Sequence, residues 1–423
     1  MNYEQLYSTF LHASGVSTDT RAIGKNNIFF ALKGPSFNGN SFAEQALKEG
    51  AMAVVIDEPV MDSSPSVFLV ENVLTTLQEL ARIHRSNLDA KVIGLTGSNG
   101  KTTAKELFKS VLSTSYKTSA TVGNLNNHIG VPLTILNTPK DTEILIVEMG
   151  ANHQGEIRML SSISNPDIGY ITNFGKAHLE GFGGVEGVIK GKSELYENLQ
   201  LNDAQALVNG EDAIQMEKTA GLTRIVFGSE DSDYPMEFST QNYPATVIAN
   251  DTRFVSELTG SFHTANIGAA IALGRIFKIQ DSIIQKGIAS YKPSNNRSEW
   301  RRTERNKIML DAYNANPSSM SASIQSFIEE AGSNAYLILG DMFELGETSA
   351  EEHQAIVDLC EPLECEVVLV GEHFHATHSQ RSMHRFKSTE ETLEYIKSHP
   401  IVDGSILLKG SRGMKLETLL PVI

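Results

Sequence analysis

Residues 94–103 read GLTGSNGKTT, a glycine-rich turn between the apolar pair Val92 and Ile93 and a helix-compatible stretch that begins near Thr102. Where a strand gives way to a helix through such a turn, successive backbone N–H groups and the positive end of the helix dipole converge on one point, which makes a cradle for phosphate oxygens. Gly97, Ser98, Asn99 and Gly100 supply the loop, Lys101 is placed to reach the β and γ phosphates, and Thr102, followed by Thr103, offers a hydroxyl to Mg²⁺. The strict form of the pattern has a glycine six residues before the lysine. Here Leu95 stands in that place and the glycines fall at 94, 97 and 100. The stretch predicts binding of ATP or GTP; the plainer alternative is a glycine-rich strand-to-helix turn with no ligand.

Outward from this loop, apolar β-branched runs alternate with helical patterns. VIGLTG, EILIVEMG and IGYITNF read as strands, with helices expected over residues 102–113, 155–164 and 185–198. That alternation predicts a parallel sheet covered by helices. Before it, residues 1–88 form a smaller unit with a polar turn at STDTR, an IFFAL strand, a helix over 42–50, an AVVID strand and a helix over 73–86. After a β-rich stretch (224–258), helices over 264–277 and 282–290 lead to KPSNNR, the best linker candidate. KIMLDAY, AYLILGD, EVVLVGE and SILLKGS then alternate with helices once more. The expected organisation is α/β in three domains: a small N-terminal α/β domain (1–88), a central parallel-sheet domain of ATPase type carrying the phosphate loop (89–292), and a Rossmann-like α/β domain (293–423). Ligands are expected at the carboxyl ends of the strands.

Composition narrows the function. A chain of 423 residues has room for two to four domains at roughly 100 to 200 residues each. The formal charge is −16 and no Lys/Arg-rich run occurs, which argues against nucleic acid as a partner. An anionic nucleotide must then be held by local donors and metal. No apolar run is long enough to span a bilayer, and the start, MNYEQLYSTF, has neither a basic nor an apolar signal region, so a cytoplasmic protein is expected; a monomer is expected as well. Cys360 and Cys365 are too few for a disulfide framework or a zinc site and read as reduced structural residues.

Two strand-end residues add to the chemistry. Glu148 follows the apolar run ILIV and is placed to meet a magnesium ion held by Thr102; the alternative is a solvated strand-end carboxylate. His178 follows the next strand among glycines at 175, 181, 183 and 184, which allow the backbone to wrap a ligand; a lone loop histidine is otherwise a surface residue. His373, His375 and His378, spaced i, i+2, i+5 in an expected loop, match no strong metal-ligand pattern.

GLTGSNGKTT, GNLNNHIGVPLT, VEMGANHQGEI, NFGKAHLEGFG, KGKSE, HTANIGAA, LDAYNANPSSM, LGDMFELG and LLKGSRGMKLE, in this order, resemble the Mur ligases, and the likeness runs from about residue 17 to 415. STDTR, DAYNANPSSM and GDMFELG resemble those family members that add D-alanyl-D-alanine to UDP-N-acetylmuramoyl-tripeptide. The resemblance implies ATP as co-substrate, an acyl-phosphate intermediate and amide bond formation in peptidoglycan precursor synthesis. It implies that Lys101 and Thr102 serve phosphate and magnesium, that Glu148 and His178 complete the metal site, and that Lys192 is the position of a carbamylated lysine, with Lys190 close by. It places Asn266 beside adenine, Arg297 near the nucleotide phosphates and Asp311 on the ribose. For the nucleotide sugar it implies Thr18, Asp19, Thr20 and Arg21, with Lys33, Phe37, Asn38 and Gly39 in a second loop. Asn124, Asn126 and Asn127 are implied on the acceptor, and Tyr313, Asn314 and Asn316 at the dipeptide end, where a helix-capping turn before Pro317 is the plainer alternative.

The chain departs from the family pattern at Asn296, where glycine often precedes the arginine, at His128, where an acidic residue is common, and at Asn40, where histidine is frequent. Two other functions remain in view: the ligase that adds the third amino acid, and a nucleotide-hydrolysing switch. DAYNANP speaks against the first. The absence of an N-K-x-D guanine motif, and the presence of two further domains, speak against the second.

Overall fold

The computed structural model describes residues 3–293, 296–332 and 334–423, and these carry five sheets, three of them large. The first has four parallel strands in the order Gly15–Ser17, Asn27–Phe30, Ala53–Ile56, Val67–Leu69. It packs against the helices Tyr3–His12, Ala43–Lys48 and Val73–Ser86.

The second sheet is parallel throughout and has seven strands. Lys91–Thr96 lies near its middle, between Ile168–Ile171 and Ile144–Glu148. Thr118–Ala120 closes one edge, and Gln205–Asn209, Arg224–Gly228 and Tyr234–Pro235 extend the other. Val92 to Thr96 and Ile144 to Glu148 are buried at every position, as a strand covered on both faces must be. The helix Lys101–Leu112 packs on one face against Thr264–Ile276 and Asp281–Ser290, burying Leu107, Phe108, Val111 and Leu112. Each such side chain contributes about 1.5–3 kcal/mol relative to exposure. A small antiparallel sheet, Glu237–Phe238, Thr246–Ala249 and Thr252–Val255, packs against the same two helices.

The third sheet has six strands. Glu299–Arg302 runs antiparallel at the edge, and Lys307–Asp311, Ser405–Lys409, Ala335–Gly340, Glu366–Val370 and His384–Phe386 follow as parallel neighbours. The expected strands and helices are all present, with helix ends displaced by at most three residues; the largest difference is Val185–Leu201, which continues past the expected stop at 198. Strands Thr118–Ala120 and Gln205–Asn209 are additional. The KPSNNR linker falls partly outside the described residues. Asn296 at its end has φ +57°, a left-handed conformation that asparagine tolerates better than most residues, which accounts for its standing where glycine is common.

The loop expected for the histidine cluster is corrected in part. His373 and His375 lie on a one-turn helix, Glu372–His375, and His373 stacks on the buried ring of His353. Among the described residues no group of three His, Cys, Asp or Glu side chains is arranged to hold a metal. Both cysteines are free thiols, and burial pushes that of Cys360 up to about 12. No described helix is long and apolar enough to cross a membrane.

Candidate active site

The loop after Lys91–Thr96 requires glycine at two points. Gly97 has φ +143°, and a Cβ there would lie 1.9 Å from Thr172 Oγ1; Gly100 has φ +77°, and a Cβ there would lie 2.7 Å from Asn266 Nδ2. The loop is held from outside. Ser98 N donates to Asn173 O (3.1 Å) and Ser98 Oγ to Gly175 O (2.7 Å), while Asn99 N donates to Asn173 Oδ1 (3.1 Å) and Thr172 Oγ1 to Asn99 O (2.6 Å). Its shape is therefore fixed by the chain itself.

Lys101 opens the following helix and donates to the carbonyls of Gly97 (2.6 Å) and Ser98 (3.1 Å). Burial, assisted by the charge of Arg297 and opposed by Glu148, pulls its ammonium down to about 8. Thr102 Oγ1 donates to Glu148 Oε2 (3.0 Å), and Asn126 Nδ2 donates to Glu148 Oε1 (2.8 Å). Glu148 is only 2% exposed, so the solvated strand-end alternative does not hold. A hydroxyl and a carboxylate thus meet at one point, the hard oxygen donors that Mg²⁺ takes when phosphates and water complete its octahedron. Asn127 is turned elsewhere: its Oδ1 accepts from Ile129 N and Gly130 N at the start of the helix Gly130–Leu136.

His178 has left-handed φ +53°, and its Nδ1 stands 2.5 Å from Glu344 Oε2 of the third sheet's loops. Hydrogen bonding to this imidazole holds the Glu344 carboxyl below its ordinary value despite partial burial. Lys192, on the helix Val185–Leu201, is 0% exposed, whereas Lys190 is exposed. Lys192 Nζ donates to Ala151 O (3.2 Å) and lies 4.9 Å from the centre of the Phe182 ring. Among the described residues it has no carboxylate partner within ion-pair distance. Burial, with repulsion from Lys101, pushes this ammonium well below its ordinary value.

The third sheet delivers the rest. Asp311 ends the strand Lys307–Asp311; its Oδ1 accepts from Ser298 N (3.0 Å), and its Oδ2 accepts from Ser323 Oγ (2.8 Å) and Lys409 Nζ (2.5 Å). Burial raises the pKa of this carboxyl, but Lys409 and the hydrogen bonds overcome it and hold it below the ordinary value. Oδ1 keeps one lone pair for a further donor. The Arg297 guanidinium lies 3.6 Å from the centre of the Tyr313 ring. Asn316 caps the helix Pro317–Ala331 in a capping box with Ser319, so the plainer alternative for this turn is correct as far as it goes. The same side chain also donates to Asn99 Oδ1 (2.7 Å) and accepts from Asn99 Nδ2 (3.3 Å), tying the third sheet to the phosphate loop.

One cleft of about 870 Å³ collects Ser98, Asn99, Gly100, Lys101, Thr102 and Thr103 with Asn124, Asn126, Asn127, Glu148, His178, Asn266, Arg297, Asp311, Tyr313, Asn314 and Asn316. Gly97 and Lys192 do not line it. The residues expected for the nucleotide sugar do not line it. Asp19 caps the turn Thr20–Ala22 and pairs with Arg21 (2.7 Å), whose hydrogen bonds hold the Asp19 carboxyl down to about 2. Lys33 pairs with Asp57 (2.9 Å) and Glu58 (2.8 Å), and Asn38 Nδ2 donates to Glu58 Oε2 (2.9 Å). Asn40 is buried and bonded to Asp57 through both its amide groups, a structural role for that departure from the family pattern.

Several cleft residues escaped the sequence reading: Phe262, His263, Phe343, Glu344, Lys409 and Arg412. The quoted motifs HTANIGAA, GDMFELG and KGSRG contain all but Phe262, and strand ends preceding the latter two were the available signal. His263 is 4% exposed, neither ring nitrogen has a hydrogen-bond partner among the described residues, and burial pushes its pKa down to about 4.

Three family descriptions match the chain in succession: Mur ligase family, catalytic domain (residues 12–89), Mur ligase middle domain (95–274), and Mur ligase, glutamate ligase domain (296–412). The chain is 35% identical to the UDP-N-acetylmuramoyl-tripeptide--D-alanyl-D-alanine ligase of Bacillus subtilis (strain 168), over 99% of this chain and 93% of that one. In three dimensions it is similar to MurF from Acinetobacter baumannii, with TM-score 0.86 and 30% identity over 99% of this chain and 98% of that one. It is also similar to the MurF ligase from Thermotoga maritima in complex with ADP, with TM-score 0.86 and 28% identity over 98% and 97% of the two chains.

Proposed function

The chain belongs to the Mur ligase family, and we propose on that premise that it joins D-alanyl-D-alanine to UDP-N-acetylmuramoyl-tripeptide with hydrolysis of ATP to ADP and phosphate. The observation that carries the reading is the likeness to ligases of this specificity over nearly the whole length of both partners. The ligase adding the third amino acid and the nucleotide switch are set aside on the same ground.

The chemistry follows from the cleft. A peptide carboxylate is a poor electrophile, so its oxygen first attacks the γ-phosphorus of ATP, giving an acyl phosphate and ADP. Phosphoryl transfer asks the protein for positioning and charge neutralisation more than for covalent help. The free N–H groups at the head of the helix Lys101–Leu112 and the Lys101 side chain would supply both, with Arg297 on the phosphate side. The dipeptide amine then attacks the carbonyl carbon, the tetrahedral intermediate expels phosphate, and the amine proton passes to solvent or to the departing phosphate. An α-amine has a reference pKa of about 7.7–8, so roughly a tenth or more is neutral at pH 7 and no dedicated base is assigned.

Thr102 and Glu148 would hold Mg²⁺, with His178 adjoining, and the ion would supply charge neutralisation on the transferred phosphoryl group. Asn266, oriented by a bond from Tyr170 OH (3.3 Å), and Asp311 are assigned to the nucleoside. Lys192 fits carbamylation: its burial favours the neutral amine that reacts with CO₂, and the resulting anion would attract rather than repel Lys101. Thr18, Asp19, Thr20, Arg21, Lys33, Asn38 and Gly39 are assigned to the UDP moiety on the N-terminal domain, with boundaries at 88/89 and 292/293. Asn124 and Asn126 are assigned to the acceptor, with Asn127 shaping their loop. Tyr313 and Asn314 are assigned to the dipeptide. A cytoplasmic monomer suits these substrates.

The test is phosphate release from Mg-ATP with UDP-N-acetylmuramoyl-tripeptide, with and without D-alanyl-D-alanine, while product mass is followed. Release requiring both, with a product heavier by the dipeptide, is expected. Release indifferent to both would overturn the reading in favour of a hydrolase or switch.

A further inference from the structure

Three parallel neighbours of the third sheet, Lys307–Asp311, Ser405–Lys409 and Ala335–Gly340, end side by side at the cleft. The loops beyond them place Tyr313 and Asn314, Ser411 and Arg412, and Phe343 and Glu344 along one wall. The last two loops are knitted together: Phe343 N donates to Ser411 Oγ (2.9 Å) and Ser411 N to Asp341 O (3.0 Å). Arg412 is thus presented from a fixed turn, and its guanidinium lies 5.0 Å from the centre of the Tyr313 ring.

Among the described residues lining the cleft, two cations, Arg297 and Arg412, have neither a carboxylate nor a carbonyl partner. Lys409 is bound to Asp311, and Lys101 to the phosphate-loop carbonyls. His178 faces Glu344, and His263 is buried in neutral form. The Arg297 guanidinium is held 3.6 Å from the centre of the Tyr313 ring, and its charge acts on Lys101. Arg412 does not figure among the charges acting on Lys101, and among the described residues its guanidinium has neither a carboxylate nor a carbonyl partner. It is exposed to the cleft.

The dipeptide carries an amine at one end, which must reach the acyl phosphate, and a carboxylate at the other, about 7 Å away when extended. That carboxylate needs a cation outside the phosphate cluster, and a planar guanidinium binds it through two parallel hydrogen bonds. We infer that Arg412 is the receptor for the terminal carboxylate of the dipeptide and so selects acceptors that end in a free acid. The inference rests on the ligase reading above and deepens it.

The test compares D-alanyl-D-alanine with its C-terminal amide, D-alanyl-D-alanine amide, as acceptors. The wild type should use the acid about 10- to 200-fold better in kcat/KM, as one charged hydrogen-bonded contact implies, mostly through KM. Arg412→Ala should lose that preference, using both acceptors at the wild-type amide rate, with the KM for ATP unchanged. Arg412→Lys should recover part of it, and a circular dichroism melt should show both variants folded. A wild type that ligates while Arg412→Ala still prefers the acid overturns this inference alone, as does a change confined to the KM for ATP. A wild type that forms no dipeptide product overturns the ligase reading together with it.

Discussion

Asn99 and Asn316 exchange side-chain hydrogen bonds across the cleft, one residue inside the phosphate loop and the other at the cap of the helix Pro317–Ala331. The loop is therefore tied directly to the helix that packs on the third sheet. Lys176 reinforces the contact through Ser318 Oγ (2.9 Å) and Glu352 (2.5 Å). Asn316→Ala removes a helix cap and this link together. It should lower stability by about 1 kcal/mol, as cap deletions do, and lower kcat by a larger factor than an Asn316→Asp variant that keeps the cap. Denaturant unfolding and steady-state turnover check the two parts separately.

Lys101→Ala should reduce phosphate release by roughly 10²–10³-fold or more, the cost of removing one preorganised charge from a transferring group. Substantial ligation by this variant, followed as product mass, would remove the phosphate-loop account.

The pKa of Lys101, lowered to about 8 by burial, also sets a pH dependence. Below that value the ammonium is present in the free enzyme; above it the charge is lost. At saturating dipeptide, kcat/KM for ATP should fall as pH rises through about 8. Stability moves in the opposite sense. The folded-state value lies below the unfolded one, so the unfolded chain binds more protons between about 8 and about 10.4, and Lys101 contributes a stability that rises with pH across that window. A profile of kcat/KM for ATP that stays flat to pH 9.5 would contradict the assignment.

Lys192 offers a different handle. If its neutral amine carries a carbamate, Lys192→Ala should be inactive in plain buffer and partly rescued by acetate or propionate, and the wild type should lose activity when CO₂ is stripped. Lack of rescue, with a wild type indifferent to bicarbonate, would mean the buried amine itself is required.

The parts of the molecule legible in the sequence are those fixed by local pattern. Ile144 to Glu148 and Val92 to Thr96 are continuous apolar runs because both faces of a parallel sheet are covered, and the run itself reveals the strand. Thr118–Ala120 is three residues at an edge, half-buried, and carries no such signal. The choice between Lys190 and Lys192 depends on which side of the helix Val185–Leu201 meets Phe182 and Ala151, a tertiary fact. Arg412 gained meaning only when Ser405–Lys409 was found between Lys307–Asp311 and Ala335–Gly340, a pairing across about a hundred residues of chain. The histidines at 373 and 375 suggested a cluster by spacing, while the contact that matters is with His353, twenty residues upstream of the first.

Asp311 and Lys409, at the ends of neighbouring strands of the third sheet, form an enclosed ion pair at 2.5 Å, with side chains 14% and 2% exposed. Removing one partner of such a pair leaves the other charge uncompensated, which costs about 3–5 kcal/mol, whereas replacing both is far milder. Lys409→Met should therefore destabilise the fold strongly, and Lys409→Met with Asp311→Asn should recover much of the loss. The acid response follows from the same pair. The Asp311 carboxyl is held below its unfolded value, so its contribution is fully present above the ordinary carboxylate range and is lost as pH falls through the lower, folded value. Urea unfolding at pH 7 of the wild type, Lys409→Met, Asp311→Asn and the double variant gives the coupling energy directly. Additive losses in the double variant would show that the pair is not coupled as its geometry implies.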